Sequence, residues 1–293
     1  MMNRHKYTLM ALIAVLLWGS LYTAVKLGYT AYGVSSVGDI LYFAGVRFTI
    51  CGAMITMFAF ITRPETFQPA KKHFLPILLA GLFSIILNYG LQYTGLQLTE
   101  SSKTALLKQA GSLLYVCFSF LFFRDDKLTI RKLVGVAVGF AGVVVINDDA
   151  TGIRFGTGEL LIIAASLCTV IANIISKKTF SKVAPVTVTG ISQLFGGVVM
   201  VICGKLMGGD MTINADSSSL IMVYICIASI VSYCMWYTAS NKSQLSGMFI
   251  IKFAEPVLAG VTGAMLLGEN VFNLKYLMAF LLVASGIWIS AKR

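Results

Sequence analysis

The chain has 293 residues, 57% of them hydrophobic and only 12% charged, with a mean hydropathy of +0.84. Soluble domains carry about a quarter charged residues, so these values exclude an ordinary water-soluble protein and define a multi-span membrane protein. The net charge of +11 does not signal nucleic acid, because the basic residues sit in short connections between apolar runs rather than in one patch.

Arg4-His5-Lys6 precedes a charge-free run at residues 7–25. As a helix this run covers about 28 Å at about 1.5 Å per residue, too long for a signal-peptide core and suited to a retained first span. Nine further runs follow, at residues 37–61, 74–96, 101–123, 132–146, 158–176, 184–206, 220–241, 244–267 and 274–290. The second contains Asp39 and Arg47, the fourth Lys103 and Lys108, the ninth Lys252, Glu255 and Pro256. The expected fold is all-α: a polytopic membrane protein of ten transmembrane helices. Pro64, Pro69 and Pro76 punctuate the connection after the second span, and Gly152, Gly156 and Gly158 mark the middle of the chain. The spans thus divide into five within residues 1–150 and five within residues 151–293.

If the N-terminus is cytoplasmic, fifteen of the 23 basic residues fall in loops and ends on that side and four on the other; Arg47, Lys103, Lys108 and Lys252 lie within spans. Such asymmetry in short loops sets orientation, and an even span count puts both termini in the cytoplasm of a cell-membrane protein. The six cysteines form no CxxC pair, and neither GxxxxGK[ST] nor HExxH is present. Asp125-Asp126 and Asp148-Asp149 are isolated loop pairs. No cofactor, metal or nucleic acid is therefore expected. The partners implied are the lipid bilayer and a small-molecule substrate, with coupling to a proton or counter-substrate.

Residues 88–146 align without gaps on residues 232–290 at a constant shift. Only nine of the 59 pairs are identical, so the weight rests on polar matches where polar residues are rare. Tyr89 meets Tyr233, Tyr93 meets Tyr237, Lys108 meets Lys252, Asp125 meets Glu269 and Gly142 meets Gly286. Two halves of five spans each enter the membrane in opposite senses. Such inverted repeats suit alternating access, with substrate held near the midplane between them.

Leu17-Trp18-Gly19-Ser20, Arg47-Phe48, Glu255-Pro256, Leu266-Leu267-Gly268-Glu269 and Gly286-Ile287 stand at spacings that resemble the drug/metabolite transporter superfamily, in particular its EamA-type ten-span members. In the first half, Phe123-Arg124-Asp125 and Gly142-Val143 hold the corresponding places, but Gly111-Ser112 stands where the second half has Glu255-Pro256. The two halves should therefore not behave identically. The resemblance implies secondary transport of small metabolites, often amino acids, sugars or nucleotide conjugates.

A charge at bilayer depth costs roughly 2.5–3.5 kcal/mol on insertion scales, and it persists where it faces a protein interior or a water-filled cavity. Lys108 and Lys252 are accordingly expected to flank one aqueous cavity and to bind an anionic or zwitterionic substrate. The alternative is a pair of structural ion pairs, Lys108 with Asp39 or Glu100. Glu255 is either a proton or cation site or the partner of Lys252, three residues earlier on the same helical face. Arg47 reads as a structural residue or a substrate contact. Lys103 is expected to snorkel to the interface. Tyr89 and Tyr93, and likewise Tyr233 and Tyr237, share a helical face. Their places near span ends suit an aromatic belt, with cavity lining as the alternative. Pro256 and Gly111 are the hinge candidates, and a packing kink is the other reading of Pro256. A multidrug or cation exporter is the rival transport reading. A membrane-embedded enzyme acting on a lipid-linked substrate would need clustered Asp or His at a membrane face, which the chain lacks.

Overall fold

The computed structural model describes residues 2–118, 121, 129–149, 152–153, 155–212, 218–242, 251–252 and 254–291. Phe123, Arg124, Asp125 and Asp126 lie outside the described residues. Helices α1 (Met2–Tyr32), α2 (Val37–Thr62), α3 (Phe67–Lys72), α4 (Phe74–Gly81), α5 (Asn88–Gln97), α6 (Ser101–Phe118) and α7 (Ile130–Ile146) make the first half. A π-helical turn at Leu82–Leu87 joins α4 and α5 into one rod. Helices α8 (Thr157–Phe180), α9 (Pro185–Leu206), α10 (Ser218–Lys242), α11 (Ala254–Leu267) and α12 (Leu274–Ala291) make the second. A two-residue hairpin, β1 (Asp148–Asp149) with β2 (Gly152–Ile153), joins the halves.

The helices follow from the medium. Lipid offers the backbone no hydrogen bonds, so each apolar run satisfies its own. Six rods, at residues 6–32, 37–62, 74–97, 157–180, 185–206 and 219–239, are long and apolar enough to cross a membrane. α6 and α7 are shorter and α6 carries two lysines; α11 and α12 are shorter apolar helices. α2 starts with a capping box, in which Ser36 Oγ accepts the Asp39 N–H at 3.1 Å and Asp39 Oδ2 accepts the Ser36 N–H at 2.8 Å. Asp39 Oδ1 also accepts the N–H of Asp210, 2.9 Å away, beyond the end of α9. Asp39 is thus a helix cap, and the expected pairing with Lys108 does not form.

The two halves are inverted repeats. α1 packs on α10 as the α4–α5 rod packs on α8, and α1 packs on α11 as α8 packs on α6. α2 packs on α9 and α7 on α12, each helix meeting its own counterpart. Both of these self-pairs run antiparallel. Along α2 and α9 the closest approaches are Tyr42 to Gly204, Gly45 to Val201, Thr49 to Gly197 and Thr56 to Gly190. In the other seam Gly142 abuts Ala279 and Gly286 abuts Gly135, two contacts that the shift of 144 exchanges. Counterparts that meet head to tail need a two-fold axis running across the helices, which is the inverted arrangement. Gly135 and Gly139 accordingly pack inside the molecule against Gly286.

Small residues let these backbones touch, and in lipid such close packing takes the place of hydrophobic association. Gly38, Gly45 and Gly52 recur every seven residues on α2, as do Gly190, Gly197 and Gly204 on α9. A Cβ at Gly45 would sit 2.5 Å from the Val201 nitrogen, and one at Gly52 would overlap the Leu194 backbone. Main-chain atoms cannot swing aside, so Gly52→Ala is expected to destabilise the protein by about 1–3 kcal/mol, as overpacking does. Gly90→Ala is the control: its added methyl would meet only Leu41 Cδ2 at 3.4 Å. Thermal unfolding in detergent should show a lower midpoint for the first variant and no loss for the second.

Candidate functional site

The ends of the helices give two faces. Lys26 near the end of α1, Ser101 at the start of α6 and Glu269 after α11 meet at one face, and Gly158 at the start of α8 abuts Thr99 there. The start of α1 and the end of α12 lie on the opposite, terminal face. Between the halves is a cavity of about 640 Å³. Its wall draws on α1 (Trp18, Tyr22), α2 (Arg47), α5 (Asn88, Tyr89, Gln92, Tyr93), α6 (Lys108, Tyr115), α8 (Thr169, Asn173, Ser176), α10 (Tyr233, Trp236, Tyr237), Lys252 and Glu255. It reaches Phe180 and the exposed Ser181 at the terminal-face end of α8.

The structure brings all eight sequence-derived binding candidates into this one wall. Lys108 Nζ donates to Asn88 Oδ1 at 2.6 Å and to Thr169 Oγ1 at 3.1 Å, and Thr169 donates to Asn88 Oδ1 at 2.9 Å. Neither Asp39 nor Glu100 pairs with it. Arg47 is 1% exposed. Its Nε and Nη2 donate to Ser229 Oγ at 3.1 and 2.7 Å, while the Phe48, Tyr93 and Tyr89 ring centroids lie 4.8, 5.7 and 5.8 Å from the guanidinium carbon. Arg47 Nη1 has no hydrogen-bond partner among the described residues.

Glu255 Oε1 accepts the Tyr22 hydroxyl at 2.7 Å, and Oε2 has no partner among the described residues. The expected Lys252–Glu255 pair does not form. The chain turns at Lys252 before α11 begins at Ala254, so the two residues do not share a continuous helical face. The Glu255 N–H instead donates to the Lys252 carbonyl at 3.2 Å. Pro256 falls in the first turn of α11, where a missing N–H leaves no helical bond unmade. Gly111 lies within α6, close against Ser166 of α8, and the helix runs on through it.

The four tyrosines line the cavity rather than an interfacial belt. Tyr89 and Tyr233, equivalent by 144, share a hydroxyl–hydroxyl bond of 2.6 Å. Tyr237 stacks on Tyr233 with centroids 6.0 Å apart, Tyr93 meets Tyr89 edge-on at 5.4 Å, and Trp18 packs on Trp236 at 5.2 Å. The sequence reading passed over Asn88, Gln92, Thr169 and Asn173. A signal was present, because Asn88–Gln92 and Thr169–Asn173 are each polar pairs four residues apart in otherwise apolar rods. Lys103, expected to snorkel, instead bonds Glu159 of α8 at 2.7 Å. Among the described residues no cluster of His, Cys, Asp or Glu could hold a metal.

The face away from the termini is sealed by polar contacts. Thr23 Oγ1 meets Thr262 Oγ1 at 2.8 Å and Ser101 Oγ at 3.4 Å. Gly268, at φ +68°, turns the chain so that the Glu269 carboxylate caps α6, accepting the Ser101 and Ser102 N–H groups at 2.6 and 2.9 Å with Lys26 3.7 Å away.

A polytopic helical protein with two inverted halves around a polar cavity has the architecture of a membrane transporter. The EamA-like transporter family matches residues 5–148 and again residues 156–291, and the chain belongs to this family. An uncharacterized transporter of Archaeoglobus fulgidus is 24% identical over 293 residues, covering 98% of this chain and 99% of that one. The uncharacterized inner membrane transporter YedA of Escherichia coli K12 is 25% identical over 284 residues, covering 94% and 87%. The uncharacterized transporter YvbV of Bacillus subtilis is 25% identical over 252 residues, covering 84% and 81%. One solved crystal structure shares the fold at a TM-score of 0.70 with 21% identity, covering 97% of this chain and 95% of that one.

Burial pushes the Glu269 carboxyl up, but the hydrogen bonds from Ser102 and Ser101 outweigh it and hold the group below the usual carboxylate range. A depressed carboxyl stabilises the fold above its unfolded value and loses that contribution as the pH falls through its folded value. A carboxylate at a partly buried helix N-terminus contributes up to about 2 kcal/mol. Acidification below about pH 4, the ordinary glutamate range, should therefore lower the melting temperature of the parent more than that of Glu269→Gln, which should already melt lower at neutral pH.

Proposed function

We propose that this membrane transporter is a secondary active carrier of a small polar anionic or zwitterionic metabolite, and that the cavity between its halves is the substrate site of an alternating-access cycle. The observation that carries the reading is the charge of the wall. Arg47, Lys108 and Lys252 face one acid, Glu255, and the hydrogen bonds of the first two go to neutral groups. Buried cations with no acid of their own favour a ligand that brings the negative charge. A carboxylate or phosphate supplies it, while the aromatic wall gives flat surfaces for the remainder of a metabolite. The aromatic wall and Glu255 would also suit an organic cation, the rival exporter reading, but three cations oppose it.

The basic residues favour cytoplasmic termini, and with that orientation this reading makes the present structure open toward the cytoplasm and sealed outside. An ion gradient or exchange drives the cycle, and the chemistry is transport rather than catalysis. A metabolite that binds the native state raises its melting temperature, which identifies the ligand for proteoliposome uptake. A hydrogen bond to a charged group contributes about 1.5–3 kcal/mol, so Lys108→Met and Lys252→Met should weaken substrate binding roughly 10- to 150-fold and abolish transport in a folded, monodisperse protein. Unchanged affinity in both variants would make the lysines scaffolding; tighter binding of an organic cation would favour the exporter. For orientation, single cysteines at positions 72 and 178 in a cysteine-free chain should react only with membrane-permeant reagents in intact cells.

A further inference from the structure

Glu255 has no role in a purely cationic site, since its charge opposes an anion in the same cavity. It is 5% exposed, bonded on one oxygen to Tyr22 and unbonded on the other among the described residues. The charged and titratable groups around it are Tyr22 of α1, Lys108 of α6, Lys252 before its own helix, Tyr276 of α12, and Arg47 and Tyr89 across the cavity. No other carboxylate lines the cavity among the described residues, so Glu255 is the acid there whose charge a proton can remove.

Resting on the anion-site reading above, we infer that Glu255 is the proton site of a proton–anion symporter, with proton and anion bound in the same cavity and each favouring the other. The proton comes from bulk water on the side to which the cavity opens and resides on Oε2, while Tyr22 keeps its bond to Oε1. It returns to bulk water on the other side after the anion has left. No bond of the substrate changes. With Glu255 charged, an incoming carboxylate or phosphate meets a negative neighbour; with Glu255 neutral, it meets only Arg47, Lys108 and Lys252. Linkage makes the effect reciprocal. A cationic substrate would instead compete with the proton and give antiport, so the sign of the coupling follows from the charge of the wall.

The test measures binding of three probes, L-glutamate, succinate and inorganic phosphate, to purified full-length protein by thermal shift at acidic and near-neutral pH. At least one probe should bind about 5- to 150-fold more tightly at the acidic pH, the ordinary range for coupled sites. Glu255→Gln, a neutral isostere that can still accept the Tyr22 hydroxyl, should bind that probe equally at both pH values and more tightly than the parent at neutral pH. Because Lys108 lines the same cavity, a pH dependence that survives in Glu255→Gln belongs to another group there and overturns the assignment. Stronger binding at the higher pH in the parent overturns it as well. Should Glu255→Gln fail to fold, Tyr22→Phe decides. It removes the bond that favours the charged carboxylate, so the pH at which anion binding weakens should rise, and an unmoved profile overturns the proposal. If none of the three probes stabilises the parent at either pH, the anion-site reading itself fails, which is distinct from an anion that binds without regard to pH.

Discussion

The molecule depends on the contact between α2 and α9, where two backbones touch along a line of glycines. Lipid tails are as apolar as leucine, so two such helices gain little by hiding from the solvent; close approach and dispersion must hold them. The glycine spacing of seven keeps one narrow face of each helix turned to the other, and the antiparallel sense fixes a two-fold axis across the bundle. With α2 and α9 joined, and α7 joined to α12 by a second glycine seam, the remaining helices pack as exchangeable pairs. Those pairs, α1 with α8, the α4–α5 rod with α10, and α6 with α11, enclose the cavity. The Tyr89–Tyr233 bond joins two equivalent residues directly and therefore marks the axis inside it.

The cavity keeps its charges by solvating them with neutral groups. Asn88 and Thr169 hold Lys108, Ser229 and three rings hold Arg47, and Tyr22 holds Glu255. Ion pairs would have stabilised each charge by cancelling it, and a ligand would then have had to break them. Neutral dipoles compensate part of the desolvation and leave the field of the ion in place. Elsewhere the protein does use ion pairs, Lys103 with Glu159 and Lys26 with Glu269, and both lie toward the face away from the termini. The contrast separates charges held in ion pairs from charges held by neutral groups, and Lys108 is of the second kind.

Much of the architecture is legible because the bilayer imposes simple rules. Apolar runs become helices, odd halves become inverted ones, and lysines in such runs turn inward. The matched tyrosines were readable as equivalents, yet equivalence becomes contact only on the symmetry axis, and nothing in Tyr89 or Tyr233 says where the axis passes. Their positions near span ends pointed to a belt because distance along a helix was the only coordinate at hand. The glycine heptads on α2 and α9 are visible in the sequence, but a seam needs both partners and a sense of direction before its residues mean more than flexibility. The Lys252–Glu255 pair failed for a local reason, since the i,i+3 rule assumes an unbroken helix and the chain turns at Lys252. The cap that Glu269 gives α6 joins residues 168 apart, a tertiary contact that no local pattern carries.

The repeat also shows where the halves cannot be equivalent. Ala11 packs with Ala239 as Ile162 packs with Gly95, so α1 and α8 correspond at a shift that sets Thr23 against Ile174. Thr23 bridges Thr262 and Ser101 and helps seal one face. Ile174 is buried in a cluster with Val170 and Tyr115 and has no hydroxyl to offer. Under the proposed cycle the halves exchange conformations, and the axial Tyr89–Tyr233 bond maps onto itself and can persist in both states. The Thr23 bridges have no hydroxyl equivalent at Ile174, so the opposite face must close without that pair of contacts. Under that cycle the two states therefore close on different contacts and need not be equal in energy before a substrate binds. A ligand shifts such an equilibrium only by its differential affinity for the two states, and under the anion-site proposal the cations of the cavity wall would provide it.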